Sequence, residues 1–95
     1  MSLIVGLLSV ELYLPDAQSL KDKRMILRAV KDRLKKFNVS VAEVEHQQLW
    51  QRAGLGIVSI SNGREHVDQA LDAVLDEIER VHPGIVSRSE REWLA

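Results

Sequence analysis

Lys21, Arg24, Arg28, Lys31 and Lys35 recur at intervals of 3, 4, 3 and 4 residues. That spacing stacks side chains along one face of an α-helix. The resulting cationic ridge runs about 21 Å at roughly 1.5 Å rise per residue, long enough to track several phosphates of a nucleic acid. Ser19 stands just before it and Asp22 three residues on, a capping signature that places the helix start at Ser19. Lys21, Lys23 and Arg24 therefore crowd the end where the helix dipole is already positive, at a cost of about 0.3–1 kcal/mol each at an exposed site. A phosphate or sulfate near Ser19, Lys21 and Arg24 would reverse that sign and take up free N–H groups of the first turn. The expected nucleic-acid or anion-binding residues are thus Ser19, Lys21, Lys23, Arg24, Arg28, Lys31 and Lys35. Lys23 is the odd member, since the wheel sets it on the apolar side between Leu20 and Leu27, where it is expected to snorkel with its ammonium at the rim. The competing reading is a solvated helix face in which Asp32 pairs with Arg28 and Lys36, while Lys35 and Lys36 complement the C-terminal dipole.

Other groups offer less chemistry. Glu43 and Glu45 alternate onto one strand face and Glu11 can approach them across a sheet; three carboxylates placed so can hold a divalent ion for phosphodiester hydrolysis. Solubility charges on an edge strand are the stronger reading. His46, His66 and His82 show no metal-ligand spacing, so no metal site is expected. The chain has no cysteine, which removes disulfides, thiolate catalysis and cysteine-bound zinc and fits a reducing, cytoplasmic setting. No nucleophile, general base or glycine-rich phosphate loop stands out; "LPDAQSLK" contains no glycine. Neither catalytic residues nor a cofactor are expected. Trp50, in the loop "HQQLWQRA", can stack on a base, but a plug over the sheet edge or a dimer contact is the stronger expectation.

The elements that must position these residues follow from periodicity. Residues 3–14 are almost continuously apolar, as a strand buried on both sides requires. The first helix is expected over about 19–36, with Leu20, Leu27, Val30, Leu34 and Phe37 as its apolar stripe. "VSVAEVE" alternates like a strand, with a change of phase near Val41 and Ala42 that marks a bulge. "AGLGIVSIS" is a further apolar strand. Asn62-Gly63 then begins a helix striped by Val67, Leu71, Val74, Ile78 and Val81, stopped by Pro83-Gly84. "IVSRSEREWL" is a final, more polar strand.

Strand, helix, strand, strand, helix, strand is the split βαβ order of a ferredoxin-like α+β sandwich, with a four-stranded antiparallel sheet and two helices on one face. Residues 1–95 make one such domain. The other sheet face then exposes Val5 and Leu7, with either Leu55 and Ile57 or Val58 and Ile60 beside them. An apolar surface of this kind predicts a homodimer, with Val5, Leu7 and Trp50 as possible interface residues. The net charge of −1 conceals a first helix of about +6 and a second of about −4, a division that would orient the molecule on a polyanion. "MSLIVGLLSV" lacks a basic start and a cleavage site, so it reads as a strand, not a signal segment. No association with a membrane is expected.

"SLKDKRMILRAVKDRL", "FNVSVAEVEHQQLWQRA" and "GIVSISN" together resemble the bacterial YlxP-like family, a domain of unknown function numbered 503. The resemblance implies a ferredoxin-like domain and implies no activity. Members tend to be encoded beside translation and ribosome-maturation factors. The leading expectation is a non-catalytic module that binds structured RNA or a ribonucleoprotein surface through the basic helix. "LIVGLLSV" and "LGIVSI" carry none of the aromatic residues on which RNA-recognition-motif domains stack bases, and Tyr13, at the far end of its strand, is no substitute. A homodimeric interaction scaffold using the open sheet face is the alternative, and a metal-dependent nuclease the third.

Overall fold

The computed structural model describes residues 2–95. Its elements are β1 (Ile4–Tyr13), α1 (Leu20–Leu34), β2 (Ser40–Glu45), β3 (Arg52–Ser61), α2 (Arg64–Val81) and β4 (Val86–Trp93). The four strands form one antiparallel sheet in the order β2-β3-β1-β4. This is the ferredoxin-like α+β arrangement, with the two most apolar strands in the centre.

β1 and β3 pair without interruption from Ile4↔Ser61 to Tyr13↔Arg52. Leu8, Val10 and Leu12 of β1 face the helices and are buried, as are Ala53, Leu55 and Ile57 of β3. The period of two sends Val5 and Leu7 to the open face, opposite Ile60 and Val58. This decides between the two alternatives for β3: Val58 and Ile60 face outward, while Leu55 and Ile57 belong to the core.

Both helices close the inner face. α1 contributes Leu27, Val30 and Leu34, and α2 contributes Val67, Leu71, Val74 and Ile78. α2 lies so close to β1 that a Cβ on Gly6 would come within 2.6 Å of Val67 Cγ1; a side chain there would push the helix off the sheet. Charged groups tie the layers at their rims. Arg91 of β4 reaches Asp68 and Asp72 of α2, each at 2.8 Å, and Glu77 of α2 takes Arg80 at 2.8 Å and Lys36 at 3.1 Å.

The β2–β3 register shifts between Glu43 and Glu45, so the bulge lies beyond the position expected near Val41 and Ala42. Because Glu43 stands opposite inward-facing Leu55 and Glu45 opposite Gly54, the extra residue turns the two carboxylates to opposite faces. Among the described residues, no helix is long and apolar enough to cross a membrane.

Candidate nucleic-acid interface

The entrance of α1 is built as its sequence dictates. Ser19 Oγ accepts the Asp22 N–H at 3.0 Å, and Asp22 Oδ2 in turn accepts the Gln18 N–H at 3.0 Å. Ser19 is therefore the helix cap, and its hydroxyl oxygen already holds a first-turn donor.

Lys23 departs from its expected role. It is 1% exposed, and its Nζ donates to His46 O at 2.5 Å and Leu49 O at 2.7 Å while lying 2.8 Å from Glu43 Oε2. That oxygen has no hydrogen bond of good angle, so charge more than hydrogen-bond geometry joins the pair. The ammonium does not sit at a rim; it is withdrawn into the domain and is not open to an external anion. A buried amine needs several oxygen partners to offset lost hydration, and here a strand carboxylate and two loop carbonyls supply them.

The rest of the ridge meets solvent. Lys21, Arg24, Arg28 and Lys35 are exposed and Lys31 is half-buried. Arg24, Leu27, Arg28, Lys31, Asp32 and Lys35, with Glu43, line a groove of about 340 Å³. Both acids of this groove are taken, Asp32 by Lys35 at 3.0 Å and Glu43 by Lys23. Asp32 thus pairs with neither Arg28 nor Lys36, and Lys36 turns to Glu77 instead. Among the described residues, Lys21, Arg24, Arg28 and Lys31 have no carboxylate partner, and their mutual repulsion is relieved only by solvent and counterions.

The β2–β3 loop carries a second feature. His46 adopts φ 62°, an uncommon conformation for a residue with a side chain. Its Nε2 lies 2.7 Å from Glu11 Oε1, and Arg52 approaches Glu11 Oε2 at 3.1 Å. The imidazole hydrogen bond, reinforced by Arg52, holds the Glu11 carboxyl below its ordinary range. Glu45 Oε2 stands 3.9 Å from the same imidazole nitrogen, and the three donor groups lie within 4.8 Å of one another. The expected trio of Glu11, Glu43 and Glu45 is not assembled, since Glu43 faces Lys23. His46 takes its place, brought there by the bulge and by its left-handed backbone, neither of which is legible in ligand spacing.

Trp50 does not plug the sheet edge. It is 53% exposed and lines an open cleft with Tyr13, Gln48, Leu49, Gln51 and Arg52. The sequence places Leu49 in this loop, Arg52 beside it and Tyr13 at the far end of its strand; that the three meet around Trp50 is a tertiary fact that the length of the loop alone hinted at. Val5 and Leu7 lie together on the open sheet face, whereas Trp50 belongs to the loop at the sheet's end.

Fold and site together define a small ferredoxin-like domain with an unneutralised cationic helix face. The chain belongs to the family described as protein of unknown function (DUF503), which matches residues 5–91. It is 38% identical over 73 residues to the uncharacterized protein YlxP of Bacillus subtilis (strain 168), covering 76% of this chain and 79% of that one. Among solved structures it is similar to the de novo designed protein Foldit4, with a TM-score of 0.62 and 10% identity, over 99% of this chain and 98% of that one. It is also similar to a C-terminal segment of the alpha subunit of aIF2 from Pyrococcus abyssi, with a TM-score of 0.55 and 18% identity. That match covers 99% of this chain and 51% of the other. A putative antibiotic biosynthesis monooxygenase from Chloroflexus aurantiacus J-10-fl gives a TM-score of 0.55 at 14% identity, over 97% of this chain and 93% of that one. At these identities the structural matches speak for the fold alone.

Proposed function

We propose that this domain is a non-catalytic module that binds structured RNA, free or on a ribonucleoprotein surface, through the phosphates that face α1. One observation carries the reading: Lys21, Arg24, Arg28 and Lys31 share a helix face while both acids of their groove are consumed by other partners. A merely solvated face gains from pairing its own charges at i ± 4, and this helix leaves that gain unused over most of its length. Phosphate oxygens supply the missing anions, and the acidic α2 turns the opposite flank away from the same polyanion.

Substituting Arg24 and Arg28 together with Glu tests the reading. Affinity for an RNA hairpin, measured by fluorescence anisotropy across a salt series, is expected to fall about tenfold or more. Loss of two phosphate contacts also makes the slope of log K against log salt shallower by about 1.4–1.8. Wild-type affinity in the double variant overturns the proposal.

A second reading rests on the open sheet face, where Val5, Leu7, Val58 and Ile60 adjoin: a homodimeric scaffold, read out by oligomeric state. A metal-dependent nuclease retains only Glu11 and Glu45 of its three expected carboxylates, and Glu11 is already engaged by His46 and Arg52.

A further inference from the structure

The β2–β3 loop is held by more than a surface loop needs. Lys23 holds the carbonyls of His46 and Leu49 from within the domain. Gln51 Nε2 donates to Pro15 O at 3.2 Å and Ala17 O at 3.3 Å, and the Leu14 N–H donates to Gln51 O at 2.8 Å. Anchoring of this kind ordinarily serves to bury apolar side chains. Here it presents them: Trp50 at 53%, Tyr13 at 49% and Leu49 at 46% exposure surround a cleft of about 400 Å³.

We infer that this cleft, lined by Tyr13, Leu49, Trp50 and Arg52, is a stacking subsite for one unpaired base of the RNA whose phosphates lie along the α1 ridge. The inference rests on the RNA reading proposed above. Its volume falls within the range of small-ligand sites, and an aromatic face takes any base, because every base has a π-face. No carboxylate lines the cleft. The nearest acid to its Arg52, Glu11, is bonded to both that guanidinium and His46, so the acid beside the cleft is not left unpaired. The loop is bonded to Lys23 in the first turn of α1 and to Pro15 and Ala17 just before it, so the cleft lies near the end of α1 at which the ridge begins. A rigid platform also spares the ordering cost that a mobile loop would impose on binding. β1 and β3 offer no aromatic residue before Tyr13, the last residue of β1, so base contact moves from the sheet face to its end.

The test uses the full chain labelled with 5-fluorotryptophan, so that Trp50 and Trp93 report separately by ¹⁹F NMR, with assignment by Trp50→Phe. Two hairpin RNAs are compared, one blunt and one with a single unpaired nucleotide at the stem end. The overhang hairpin is expected to shift the Trp50 resonance and not that of Trp93. Trp50→Ala is expected to weaken the overhang hairpin about tenfold and leave the blunt one within twofold, with Trp50→Phe restoring most of the loss. If both hairpins bind in a ridge-dependent manner while Trp50 is unmoved and Trp50→Ala is silent, the base subsite is overturned and the RNA reading survives. If neither hairpin binds, both fall together. A Trp50 shift that follows protein concentration without RNA makes the cleft a protein contact and overturns the subsite.

Discussion

Lys23 occupies a position that the apolar repeat of α1 reserves for the core, and it turns that position into a fastener. Its stem packs where an aliphatic side chain would, while its ammonium binds β2 through Glu43 and the following loop through two carbonyls. Removing one partner of such a pair strands the other, at a cost of about 3–5 kcal/mol. Lys23→Met keeps the volume and loses all three contacts, so urea denaturation is expected to place it in that range. Glu43→Gln leaves the amine on both carbonyls and is expected to cost less. A Lys23→Met variant within about 1 kcal/mol of wild type would show that the amine does not hold the loop. Arg24, a neighbour in sequence, has no such partner, and that contrast separates a structural cation from one available to a ligand.

At the level of elements, the C-terminal half of α2 is tied to the segment just after α1 by Glu77, which accepts from Arg80 of its own helix and meets Lys36. The Arg80 hydrogen bonds, helped by Lys36, lower the Glu77 pKa from an ordinary 4.5 to about 2 despite its burial. A folded-state pKa below the unfolded one stabilises the fold above pH 4.5, and the contribution disappears as pH falls from 4.5 toward 2. Thermal melts between pH 7 and 2 are therefore expected to show Glu77→Gln less stable than wild type at neutral pH, with the difference closing below pH 4.5. Glu11, lowered in the same direction by His46 and Arg52, keeps some acid sensitivity in the variant. A constant difference across the whole range would remove Glu77 from the account.

The whole molecule has two unlike sides. α1 carries the cations that the proposed function assigns to RNA phosphates, and the reverse of the sheet carries an apolar strip in which Leu7 faces Val58 and Val5 faces Ile60 across the central strands. In the homodimer reading this strip is the contact between two copies. Val58→Asp is expected to convert dimers to monomers by light scattering without unfolding the domain, because Val58 faces away from the helices. Ile57→Asp, one residue away, would bury a charge in the core and unfold it. Wild-type protein that is monomeric at every concentration refutes the homodimer and leaves the RNA reading untouched.

Much of this molecule was legible before its coordinates. The helical repeat fixed the ridge, Ser19 and Asp22 fixed where α1 begins, and the polarity of the strands assigned centre and edge, because each is a local or periodic property of the chain. Tertiary structure decided what depends on distant segments meeting: that the β2 bulge turns Glu43 to Lys23 and Glu45 to Glu11, that His46 joins them, and that Val58, not Ile57, faces outward. A one-residue slip in pairing exchanges the two faces of a strand, and no local pattern in β2 records where that slip occurs. The ridge was written in the sequence; which of its cations remain free was settled only when Glu43 of β2 took Lys23 and Asp32 of α1 took Lys35.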